Sequence, residues 1–204
     1  MTSRKKQRRL TAGVLLLFLP VFSPASTGVP SGKIPFHTVH VGSHGLIDTN
    51  RNRFHRYWQS RGGIDVFAES PFYAGRIQLG FQYMPFSAVS DRQPSFNSLF
   101  VYADWKKEWR LSRTLACFLG GRAGFCRMRF DRSASGFSVH LMQEQEFAAG
   151  LCSGLHYAWS EKWRLSVTGV TWKIFTHERI HLAFLSMGLS RRFNTPPWLR
   201  KFLE

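Results

Sequence analysis

Acidic residues are scarce in this chain: 12 aspartates and glutamates stand against 28 lysines and arginines, for a formal charge of +16. Cysteine is scarcer still. The three present, Cys117, Cys126 and Cys152, have no C-x-x-C spacing and no neighbouring histidine pattern, which excludes a zinc finger or ribbon and leaves no even disulfide framework. Cys117 and Cys152 fall near one another across a hairpin but differ in strand parity, so all three are expected to be free thiols used as small apolar residues. Also missing, beyond the leading segment, is any run of the ~18 consecutive apolar residues that a membrane-crossing helix needs. An exported chain without one is periplasmic, secreted or a barrel.

The leading segment reads as an export signal. Arg4, Lys5, Lys6, Arg8 and Arg9 form a basic head, residues 10–22 carry no charge, and Ser23-Pro24-Ala25 offers small residues for cleavage. The apolar run falls short of the ~20 residues of a spanning anchor. The expected division is a signal peptide over 1–25, a periplasmic lead over 26–35, a barrel over 36–193 and a tail over 194–204. Removing the five basic residues of the head leaves a charge of about +11. Such a balance usually suggests nucleic acid. In an exported chain an anionic lipid surface is the more natural partner, and no nucleic acid is expected.

One phrase occurs twice. Trp105-Lys106-Lys107-Glu108-Trp109-Arg110-Leu111-Ser112 returns as Trp159-Ser160-Glu161-Lys162-Trp163-Arg164-Leu165-Ser166. Each copy separates two alternating runs, which predicts hairpins whose turns, Lys107-Glu108-Trp109 and Ser160-Glu161-Lys162, lie where bilayer meets water, flanked by indole rings. Trp105, Trp109, Trp159, Trp163 and Phe193 then form an aromatic girdle, joined by Phe72 and Tyr73.

Alternation predicts eight strands, near 36–48, 62–70, 74–86, 96–106, 110–130, 138–159, 163–176 and 179–193. Links 49–61, 87–95 and 131–137 are long or moderate, His177-Glu178 is very short, and the second, fourth and sixth links are tight. Long and short links alternate in this way in outer-membrane barrels. The fifth and sixth strands are about twice the ~9–11 residues of a crossing. Either their hairpin projects, or a strand breaks at Gly120-Gly121.

By parity, one strand face collects Asp65, Glu69, Arg76, Gln78, Gln82, Asp104, Ser112, Thr114, Arg122, Glu144, Glu146 and His156, while the opposite face collects Ile64, Leu79, Phe81, Val101, Leu119 and Leu151. A membrane barrel turns the first face inward; a soluble lipocalin-like carrier inverts the arrangement. Parity alone does not choose.

The last strand ends Met187-Gly188-Leu189-Ser190-Arg191-Arg192-Phe193. Its Gly188, Leu189 and Phe193 resemble the terminal signal of outer-membrane proteins, although Arg191 stands where an apolar residue is usual. With the export signal and the eight-run layout, the chain resembles the small OmpA/OmpX-type bacterial outer-membrane β-barrels. That resemblance implies an all-β, closed, eight-stranded antiparallel up-and-down transmembrane barrel, inserted by the outer-membrane assembly machinery. It does not imply one activity.

Within such a barrel Asp65, Glu69, Arg76, Asp104, Arg122, Glu144 and Glu146 are expected to form a structural polar network that plugs the lumen. The first loop carries Arg51, Arg53, Arg56 and Arg61, whose guanidinium groups suit phosphates of lipopolysaccharide. Ser138, His140 and Glu144 look catalytic. Their order, shared strand and polar face argue against an enzyme. No cofactor or metal is expected. The sequence therefore points to a monomeric outer-membrane protein with a structural, adhesive or envelope-binding role, contacting outer-membrane lipids and lipopolysaccharide. The alternatives are a lipid A-modifying hydrolase on the same scaffold and the soluble carrier.

Overall fold

Strict alternation of residue character is what makes the ribbons of this protein two-faced. In strand Gly75–Ala88 the side chains of Gln78, Gln82, Met84 and Phe86 are buried while those of Leu79, Phe81 and Tyr83 are exposed. The computed structural model describes residues 35–90, 93–131, 143–177 and 179–198. The strands are β1 (Thr38–Asp48), β2 (Trp58–Ser60), β3 (Gly63–Phe72), β4 (Gly75–Ala88), β5 (Phe96–Arg110), β6 (Leu115–Phe130), β7 (Gln143–Ala158), β8 (Trp163–Ile174) and β9 (Ile180–Asn194).

Eight of these close a ring. Each pairs antiparallel with its neighbour in the order β1-β3-β4-β5-β6-β7-β8-β9, and β9 returns to β1 along the whole of β1, from Thr38 opposite Asn194 to Asp48 opposite Phe184. Closure removes the unpaired edges that lipid cannot satisfy. The ninth, β2, is three residues that continue the β3–β4 ladder past an irregularity. Ser60 faces Phe86 and Ile64 faces Tyr83, so β2 and β3 carry one residue more than β4 over this stretch. Gly62 absorbs the bulge at φ 128°, a conformation open to glycine.

The faces are oriented as a membrane barrel requires. Leu79, Phe81, Leu151 and Met187 are all more than half exposed, whereas Gln82, Glu69 and Asp104 are sealed inside. A soluble carrier would reverse this pattern. Ser112 and Thr114 depart from the expected polar face, because both are exposed in a turn.

The fourth link does not fall where the sequence predicts it. β5 runs through Lys107-Glu108-Trp109 to Arg110, and the turn lies at 111–114. Lys106 is buried in the lumen and Glu108 also faces inward, so the charges that mimic a polar turn are inner-wall residues. The bend is set by Ser112 Oγ, which accepts from the amides of Thr114 and Leu115. Ser160 Oγ does the same for Lys162 and Trp163. The two turns are alike, but the two copies of the tryptophan phrase are not: Trp159 and Trp163 flank a turn, while Trp105 and Trp109 share one strand.

β6 is also shorter than the predicted 110–130. It begins at Leu115, spans 16 residues, and passes Gly120-Gly121 without a break, its register with β7 constant from Leu115–Tyr157 to Arg129–Gln143. Sixteen residues tilted ~45° rise about 37 Å, little more than the ~30 Å hydrocarbon thickness.

The interior changes character along its axis. Toward the short turns it is ionic and polar. Toward the long links it is an aromatic and aliphatic cluster that includes Met84, Phe86, Phe96, Phe100, Met128, Trp172, Ile174 and Phe184. Gly80 makes room for this packing, since a Cβ there would strike the Tyr102 ring.

Candidate functional site

Glu69 is the hub of the polar half. Buried on β3, its carboxylate accepts from Arg76 Nε at 2.5 Å, Lys106 Nζ at 2.9 Å and Arg164 Nη2 at 2.7 Å. Lys106 also donates to Gln78 Oε1, and Glu108 lies 3.8 Å from Arg76. Above the hub, Arg122 forks onto Asp104 through Nε at 2.9 Å and Nη2 at 2.6 Å, with its guanidinium 4.1 Å from the Tyr102 ring centroid. Gln78 donates to the Tyr102 hydroxyl, which donates to Asp65. These residues come from five strands and fill the lumen. A barrel of eight strands leaves space for such a plug and little else.

Of the seven acids and bases expected in this network, the structure brings five together: Asp65, Glu69, Arg76, Asp104 and Arg122. Glu144 and Glu146 stand apart. They line a cavity of about 1100 Å³ at the long-link end, and neither makes an ion pair with another described residue. Their strand parity is inward, but height along the barrel separates them from the ionic layer.

A relay that the sequence did not announce lies beside the network. His44 on β1 places Nδ1 3.1 Å from Asp65 Oδ2 and Nε2 2.7 Å from Ser166 Oγ. The atoms are those of a serine–histidine–aspartate triad. All three residues are buried, and none lines either large cavity. A nucleophile needs a site beside it for the reacting carbon, and neither of these two cavities supplies one. No motif could have revealed it, because its members sit on β1, β3 and β8. Ser138 and His140 lie outside the described residues, and Glu144 is exposed.

At the long-link end the first loop folds onto the barrel mouth. A single 3-10 turn, Arg53–Arg56, is capped by Asn52, whose side chain accepts from the Phe54 amide. Phe54 packs on Phe86, Phe96 and Trp58, and Trp58 Nε1 donates to the Pro94 carbonyl at 2.9 Å. These apolar anchors leave Arg51, Arg53, Arg56 and Arg61 exposed. Arg53 alone of the four lines the 1100 Å³ cavity. Around the short-turn end, Trp105, Trp109, Trp159, Trp163 and Phe193 all face outward, and the Arg191 guanidinium lies over the rings of Trp163 and Phe193. Among the described residues no cluster of His, Cys, Asp and Glu is placed to hold a metal.

No family model matches the chain, and no curated protein sequence matches it. Solved structures do. Neisserial surface protein A aligns with a TM-score of 0.53 at 12% identity, covering 78% of this chain and 96% of that one. The outer membrane protein Ail of Yersinia pestis, in a phospholipid bilayer nanodisc, aligns with a TM-score of 0.48 at 12% identity, covering 77% and 99%. The first of these likenesses identifies the fold as a closed, eight-stranded transmembrane β-barrel.

Proposed function

We propose that this chain is an exported outer-membrane barrel that acts by binding at the cell surface rather than by catalysis or conduction. The carrying observation is the division of labour along the barrel. The outer wall is apolar, the lumen is closed by the Glu69 and Arg122 networks, and four exposed arginines are displayed on one loop at the long-link end. In outer-membrane barrels long links face outside and short turns face the periplasm. With that orientation, Arg51, Arg53, Arg56 and Arg61 meet the phosphorylated sugars of lipopolysaccharide, which guanidinium groups grip bidentately. The tryptophans and Phe193 sit at the periplasmic interface. The basic leader is removed on export, the assembly machinery inserts the barrel, and the protein works as a monomer.

Fractionation of expressing cells tests the location: the protein is expected in the outer-membrane fraction, with heat-modifiable gel mobility. For binding, lipopolysaccharide is titrated into the detergent-solubilised protein. Replacing the four loop arginines with glutamine should weaken binding about tenfold or more while leaving the folded gel form intact. Unchanged affinity would reject the loop as the contact.

A further inference from the structure

The short-turn mouth of the barrel holds a second cavity, of about 390 Å³. Six lysines and arginines line it against two glutamates, Glu108 and Glu161. Arg76 and Arg164 are partly committed, since each donates to Glu69 from the lumen side. Polar nitrogens are nevertheless left over. Arg76 Nη2, His40 Nδ1 and both ring nitrogens of His156 are buried without a hydrogen-bond partner among the described residues. Arg76, His40 and His156 all line this cavity. His156 is only 5% exposed, and its ring is held by stacking on Phe118 at 4.4 Å between centroids. Arg192 lies beside His40 across the β1–β9 ladder and lines the same wall.

A buried donor without an acceptor is unfavourable, and such groups in native proteins call for a partner. Here several converge on one cavity whose cations outnumber its carboxylates. We propose that this mouth is a binding site for a small phosphate-class oxyanion, gripped by Arg76 and Arg192 with His40 and His156 as further donors. Arginine forks match the oxygens of a phosphate in pairs, and an anion with several acceptor oxygens satisfies donors from several strands at once. The site is at the opposite end of the barrel from the arginine loop and does not depend on that loop's function. Free phosphate and a phospholipid headgroup share the recognised chemistry.

The test is calorimetric titration of inorganic phosphate into the full chain in non-ionic detergent at low ionic strength. One saturable site is expected. Arg76→Gln and Arg192→Gln should each weaken it about tenfold, and the double variant Arg51→Gln, Arg53→Gln should leave it unchanged. Should Arg76→Gln lose the folded gel form, Arg192→Gln carries the test, because that residue is exposed and makes no contact with Glu69. Repeating the titration in phosphatidylglycerol nanodiscs assigns the source: an unchanged affinity marks a free anion, and competition marks a headgroup. Absence of saturable binding, survival of binding in both mouth variants, or its loss with the Arg51/Arg53 pair would overturn the proposal.

Discussion

Lys106 Nζ lies 2.9 Å from Glu69 Oε2 inside the lumen, and this one pair explains both how the barrel is plugged and why its fourth link is misread from sequence. A lysine followed by Lys107 and Glu108 between two tryptophans has the composition of a solvated turn. Alternation nevertheless carries Lys106 and Glu108 to the inner wall, where they meet Glu69, Arg76 and Arg164.

Removing the hub should be costly. Glu69→Ala leaves Arg76, Lys106 and Arg164 without the buried carboxylate they share, with only Glu108 near the two arginines, a change expected to destabilise the barrel by about 3–5 kcal/mol. Urea unfolding in detergent measures it. Glu144→Ala, at the open end of the barrel, should shift stability by less than about 0.5 kcal/mol. Equal effects would contradict the layered lumen.

The position of the turn is testable by insertion. Two residues inserted after Arg113 extend an exposed turn and should leave the heat-modifiable folded form intact. A single residue inserted after Glu108 shifts Trp109 and Arg110 by one position and turns the outward Trp109 ring toward the lumen. That variant should fold poorly, in a yield assay by gel mobility. The reverse result would restore the turn to 107–109.

The Ser166–His44–Asp65 relay is expected to be chemically silent. A fluorophosphonate probe should fail to label Ser166 in the folded protein, and Ser166→Ala should cost about 1 kcal/mol of stability. Lipid A mass profiles from cells with and without the protein should be identical. Labelling at Ser166 would show access to a nucleophile that the packing seals.

The outer wall makes its own prediction. Leu151→Arg, on the exposed face of β7 and near mid-height, should destabilise the membrane-inserted protein by about 2–4 kcal/mol, the cost of a cation against acyl chains. Arg110→Lys, at the exposed end of β5 and already a cation in contact with water, should be neutral.

Much of this architecture is written in parity. The alternation of Arg76, Gln78 and Gln82 with Ile77, Leu79 and Phe81 is a local signal, and both the strand and its two faces follow from it. Which residues on the polar face touch each other was not local. Asp65 and Arg76 are separated by one hairpin, but Arg164 reaches Glu69 from 95 positions away, through a ring closure that no window of sequence contains. The aromatic half of the lumen is hidden from sequence for a related reason. Phe96, Phe100, Trp172 and Phe184 share inward parity with Asp104 and Arg164, and strand periodicity records face, not height. Cys126 and Cys152 are free and buried with them, as small apolar residues.

The central claim is that the apolar strand face meets lipid while the polar face is enclosed. Spin labels placed one at a time along residues 76–83 of β4, in a cysteine-replaced background reconstituted in bilayers, test it most directly. Labels at 77, 79, 81 and 83 should be relaxed strongly by oxygen and weakly by a polar nickel complex, and labels at 76, 78 and 82 weakly by both. Oxygen access at the even positions with nickel access at the odd ones would mean that the protein faces water, and the account would fail.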